Sequence, residues 1–131
     1  MADQEQPEQQ KPPIPQVENV RDPEDFAALY ANNVQGEASV WDMKVIFGIL
    51  DQSSQPNKVV QHTSINLPWI QIKLLAYLMR ANLAFHEAQN GKVFIPASIL
   101  PPNPETLDFG KITPELRESL NKIYADFLAT L

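Results

Sequence analysis

The stretch Val59-Val60-Gln61-His62-Thr63-Ser64-Ile65-Asn66-Leu67-Pro68-Trp69-Ile70-Gln71-Ile72 decides the fold. Its first half alternates. Val59, Gln61, Thr63, Ile65 and Leu67 fall on one face and Val60, His62, Ser64 and Asn66 on the other, the two-residue period of a strand. Asn66 or Leu67 then serves as a cap, and Pro68 sits in the first helical turn, where its missing N–H costs nothing. The helix runs to Asn90-Gly91, where a left-handed residue ends it. At about 100° per residue it carries two apolar faces rather than one. Ile70, Leu74, Tyr77, Leu78, Ala81, Ala84, Phe85 and Ala88 form the first, and Ile72, Leu75, Ala76, Met79 and Leu83 form the second. Gln71, Asn82 and Gln89 separate them on one side, and Lys73, Arg80 and Glu87 on the other. One face is expected to cover the chain's own sheet, and the other needs a second cover.

Toward the N-terminus, Asp51 to Lys58 is rich in Ser, Gln, Pro and Asn and has no hydrophobic anchor, so it reads as a loop tolerant of cutting and insertion. Before it, Trp41, Met43, Val45, Phe47 and Ile49 share one face of a strand. Asp42 and Lys44 point the other way until Ile46, Gly48 and Leu50 make both faces apolar, as in a strand running from an exposed region into an interface. Tyr30 to Gly36 alternates as a further strand, with a turn or bulge expected at Gly36-Glu37-Ala38-Ser39. Asp22-Pro23-Glu24-Asp25 reads as the cap and first turn of a short helix through Ala28. Three strands in succession with short connections imply an antiparallel meander.

The order Tyr30-Ala31-Asn32-Asn33-Val34, Ser39-Val40-Trp41-Asp42, Ile46-Phe47-Gly48-Ile49-Leu50-Asp51, Leu67-Pro68-Trp69 and His86-Glu87-Ala88-Gln89-Asn90-Gly91 resembles a small bacterial family, domain of unknown function three-four-six-seven, over about residues 25–96. The resemblance implies a fold and a bacterial origin, and no catalytic role for any position.

Outside the core of residues 22–96 lie three further segments. Residues 1–21 mix Gln, Glu and Pro around Pro12-Pro13-Ile14-Pro15 and cannot bury enough surface to offset their ordering entropy, so a disordered tail with an extended polyproline centre is expected. Residues 97–112 form a Pro-rich arm after a brief extended segment at Lys92 to Ile95, with Ile99, Leu100 and Phe109 as candidate anchors. Residues 113–131 form an amphipathic helix, capped by Thr113 and presenting Leu116, Leu120, Ile123, Phe127 and Leu128 on one stripe.

A chain of 131 residues with 44% hydrophobic and 20% charged residues has room for one ordinary domain. No apolar run approaches the ~18 residues of a membrane span. Met1 to Gln10 is acidic and glutamine-rich, unlike a secretory signal, so a cytoplasmic location and no membrane partner are expected. The net charge of -6 repels nucleic acid and anionic lipid. Lys73 and Arg80 share a helical stripe, but Glu87 continues it with the opposite sign.

The absence of cysteine removes disulfides, thiol nucleophiles and thiolate metal sites. His62 and His86 have no ligand spacing between them. Asp42, Asp51 and Glu87 have nothing that pairs them for acid–base work. Ser39, Ser53, Ser54 and Ser64 lack a glycine-flanked elbow, and four glycines are too few for a phosphate-cradling loop. Trp41, Trp69 and Tyr77 read as packing residues rather than as a stacking platform.

The expected fold is α+β, an antiparallel three-stranded meander packed on one long helix, with a C-terminal helix, completed by homodimerisation. No catalytic, cofactor-binding or metal residue is assigned, and no cofactor. The candidate interface residues are Ile72, Leu75, Met79 and Leu83 on the helix with Phe47 and Ile49 on the second strand. The function expected is that of a non-enzymatic bacterial interaction or assembly protein, homo-oligomeric, that binds a protein partner through apolar surface. A SecB-like holdase or adaptor is one alternative, on topological analogy. A nucleic-acid-associated regulator using Lys44, Lys73, Arg80 and the aromatic residues is the other.

Overall fold

The computed structural model describes Ile14, residues 16–53 and residues 55–131. The tail expected over residues 1–21 therefore lies largely outside the described residues, and so does Ser54. Three strands, β1 (Asn33–Ala38), β2 (Asp42–Asp51) and β3 (Lys58–Pro68), form one antiparallel sheet in the order β1-β2-β3. The long helix α1 (Trp69–Asn90) follows β3 directly, and α2 (Pro114–Leu128) closes the chain. This is the α+β meander with a long and a C-terminal helix. Between the helices the Pro-rich arm holds two single 3-10 turns, Ala97–Ile99 and Pro104–Thr106.

The strand register sorts the sheet into two faces. Val34, Phe47 and Thr63 form one row, Gly36, Val45 and Ile65 the next, and Ala38, Met43 and Leu67 the third, which makes one face mainly apolar. Gln35, Ile46 and Ser64, then Glu37, Lys44 and Asn66, make the other face mainly polar. The pattern shifts at Phe47/Gly48, where β3 carries His62 as an extra residue between the partners Thr63 and Gln61. Such a bulge leaves one residue unpaired and re-aims its side chain.

The turn between β1 and β2 is not the Gly36 region. It is Ser39 to Asp42, and β1 runs through Gly36 to Ala38. Ser39 N–H donates to the Asp42 carbonyl at 2.9 Å, and the Ser39 hydroxyl donates to Asp42 Oδ1 at 2.8 Å. The same hydroxyl accepts from the backbone of Trp41 and Asp42 at 3.2 and 3.1 Å. A serine that satisfies the turn's own amides needs no glycine to form it. Trp41 therefore lies in the turn, one residue ahead of the strand it was expected to open.

Two other expected elements differ. Residues 22–28 make a single turn, in which Asp22 Oδ1 accepts from Glu24 and Asp25, and no helix follows. All of its residues are exposed, and an isolated turn does not propagate. Lys92 to Ile95 adds no strand to the sheet. At the start of α1, Pro68 is the cap itself rather than a first-turn residue. The other helix signals stand where the residues put them: Gly91 ends α1 at φ +86°, and Thr113 Oγ1 caps α2 by accepting from Leu116 N at 3.2 Å.

No hydrophobic core is present among the described residues. Gly48 is the only one that is buried, where Ile, Val, Leu and Phe normally fill a folded interior.

Candidate interaction surfaces

The two faces of α1 differ in how far the chain covers them. Ile72 and Leu75 are half-buried, while Met79 and Leu83 of the same face are exposed. The first face is open along its length, with Ile70 70%, Leu74 56%, Tyr77 75%, Leu78 55% and Phe85 67% exposed. The sheet thus does not cover the first face. What ties α1 to the sheet is its first residue, Trp69, whose Nε1 donates to the Ser39 carbonyl at 3.1 Å. Phe47 and Ile49, the two sheet candidates, are half-buried.

The C-terminal half of α1 faces a groove lined by later parts of its own chain. Leu83 and Ala84 of α1, Val93 and Ile95 beyond it, and Ile123 and Phe127 of α2 line a groove of about 470 Å³, with Arg80, Glu87 and Asp126 at its edge. Two contacts fix this return of the chain. Glu87 Oε2 accepts from Val93 N at 2.8 Å, and Lys92 Nζ donates to the Leu131 carbonyl at 3.3 Å. The stripe of α2 is still open at Ile123, which is 65% exposed.

The hairpin tip is a third apolar surface. Val40 and Trp41 are each 85% exposed, on the turn that Ser39 and Asp42 lock. Asn66 Nδ2 donates to Asp42 Oδ2 at 3.3 Å, so β3, the turn and the start of α1 are joined at one end of the sheet.

Groups with acid, base or ligand chemistry are occupied by local structure. His62 Nε2 lies 2.9 Å from the Tyr30 carbonyl, which can only accept, so this nitrogen carries a proton. In the neutral ring the Thr63 hydroxyl then donates to Nδ1, at 2.7 Å. His86 lies next to Asn90 on the outside of α1, and no three His, Asp or Glu residues converge among the described residues. The Asp51 carboxyl is held below its ordinary range by the Ser53 hydroxyl and then by the Ser53 N–H. Asp22 is held down in the same way by the amides of Glu24 and Asp25. In each case the hydrogen bonds that lower the carboxyl close a turn.

The residues quoted as a pattern therefore have structural roles. Asn32 Oδ1 accepts from Leu50 N at 2.7 Å and prolongs the β1–β2 ladder past Asn33. Ser39 and Asp42 build the turn, Gly48 gives the bulge room, Trp69 ties the helix and Gly91 ends it. The family described as "Protein of unknown function (DUF3467)" matches residues 1–95. The chain belongs to this family. No curated protein and no solved structure matches it. The DUF3467 match ends at Ile95, so it takes in the sheet and all of α1, while the arm and α2 lie beyond it. Sequence reasoning missed the contacts of Asn32, His62 and Ser39. Only the Ser-x-x-Asp spacing of the turn carried a readable signal.

Proposed function

We propose that this DUF3467 protein is a non-enzymatic interaction protein of the bacterial cytoplasm, which works as a homo-oligomer and engages a protein partner through apolar surface. The observation that carries the reading is the missing core: large apolar side chains line both faces of a 22-residue helix, and none of them is buried. Soluble single chains rarely leave contiguous apolar patches of that extent uncovered. Among the described residues no helix is long and apolar enough to cross a membrane. Two of the three cations of the regulator reading have acidic neighbours. Lys44 lies 3.8 Å from Glu37, and Arg80 shares its groove with Glu87 and Asp126. The test is capture of the tagged protein from its native cell, with mass spectrometry of what stays bound. A reproducible protein partner is expected, displaced when an exposed apolar residue away from α1, such as Trp41, is changed to Lys. Recovery of the bait alone under every growth condition refutes the partner reading.

A further inference from the structure

We propose that the first apolar face of α1 is closed by the same face of a second copy of this chain, the two helices running antiparallel. The inference rests on the interaction reading above and names the partner for one surface. Ile70, Leu74, Tyr77, Ala81, Ala84 and Ala88 follow one another at intervals of four, three, four, three and four residues. This is the 3.5-residue repeat with which one helix seats along another.

Bulk along this seam is unequal. The three large side chains fill its N-terminal half and the three alanines its C-terminal half. With the two-fold axis level with Met79, every layer of an antiparallel pair joins one large residue to one small one. Leu74 meets Ala84 of the partner subunit, Tyr77 meets Ala81 of the partner subunit, and Ile70 meets Ala88 of the partner subunit. A parallel pair stacks large on large at one end and alanine on alanine at the other, so the helices either splay or enclose voids, which close-packed interiors do not tolerate.

Charge agrees with this direction. Lys73, Arg80 and Glu87 form one rim of the seam. In the antiparallel pair Lys73 lies beside Glu87 of the partner subunit, twice by symmetry, and only the two Arg80 meet as like charges. Each Arg80 has Glu87 and Asp126 of its own chain at the edge of the same groove. A parallel pair sets Lys73 against Leu78 of the partner subunit instead, and no opposite charges meet.

The area is sufficient. Ile70, Leu74, Tyr77, Leu78 and Phe85 are between 55% and 75% exposed. With 150–250 Å² for an aromatic side chain and less for an aliphatic one, that leaves on the order of 600 Å² per copy. Doubled by symmetry, it is roughly 1,200 Å², the lower bound of a specific interface. The chain's own α2 shares a groove with Arg80, Leu83, Ala84 and Glu87, so it reaches the seam's edge at Ala84, while Ile70, Leu74 and Tyr77 line no part of that groove and stay open.

The full chain has no cysteine, so single thiols can be placed cleanly. Leu74→Cys and Ala84→Cys proteins, mixed and treated with a short thiol-specific cross-linker, are expected to join at least tenfold more efficiently than either protein alone. Light scattering is expected to give the wild type an even multiple of 14.8 kDa. Ala81→Leu adds bulk at an exposed position that one chain accepts, yet it should weaken association at least tenfold by displacing Tyr77 of the partner subunit. Met79→Lys, on the other face, should leave the mass unchanged. Cross-linking of Leu74→Cys to itself, or an Ala81→Leu protein that associates as the wild type does, overturns the pairing. A monomeric wild type that still captures a protein partner also overturns it, while the interaction reading stands.

Discussion

Two glycines in the sheet should respond to the same substitution in opposite ways. At Gly48 an added Cβ stands 2.8 Å from the Val60 carbonyl oxygen, 2.9 Å from Val59 Cγ1 and 3.1 Å from Gln61 Cα. Two of these neighbours are backbone of the adjoining strand at the bulge, and backbone cannot turn aside. Gly48→Ala must therefore push β3 away from β2, an overpacking cost of typically 1–3 kcal/mol. The lower strand entropy of alanine returns about 0.5–1 kcal/mol, leaving a net loss of up to about 2.5 kcal/mol. For a domain of this size that is a fall in Tm of up to about 15 °C. At Gly36 the neighbour of an added Cβ is Met43 Cε, the free end of a flexible side chain. Met43 can rotate away, so Gly36→Ala should be neutral or gain a few tenths of a kcal/mol. Thermal and urea melts followed by circular dichroism, at one protein concentration because association itself adds to stability, measure both variants. If Gly48→Ala melts with the wild type, or Gly36→Ala falls as far as Gly48→Ala, the close approach of Gly48 to β3 does not govern the sheet.

Thr113→Ala removes the Oγ1 that caps α2 at Leu116 N and should cost about 1 kcal/mol, seen as lost helicity, with Thr113→Ser restoring it. The Asp51 carboxyl should titrate below an ordinary aspartate by NMR, and Ser53→Ala should bring it part of the way back, because the residue 53 N–H still donates to it. Because the folded value is depressed, the turn's stabilisation is present above the ordinary carboxylate value and is lost as pH falls through the folded one. An Asp51 titration unmoved by Ser53→Ala places the cause elsewhere.

Periodicity made the order of elements legible, because a repeat of two residues to Leu67 and a helical repeat from Trp69 cannot belong to one element. Gly91 and Thr113-Pro114 marked helix ends for reasons confined to the residues themselves. The β1–β2 turn was misplaced because Gly36 carries two meanings: a glycine offers a turn, and it also offers space. Here Gly36 lies in β1 opposite Val45, close enough to Met43 that a side chain would meet it, and the turn is made by side-chain hydrogen bonds of Ser39 and Asp42, which no hydrophobic pattern records. Which face of α1 turns toward the chain was not legible either. Ile72, Ala76, Met79 and Leu83 repeat at four, three and four residues just as Ile70, Leu74, Tyr77 and Ala81 do, so spacing alone treats the two faces alike. Bulk separates them. Reversed against itself, the second face sets Ile72 against Leu83 and Ala76 against Met79, one thick layer beside a thinner one, whereas the first face gives large against small in every layer. The two faces also differ in cover, since the chain half-covers the second at Ile72 and Leu75 and leaves the first open.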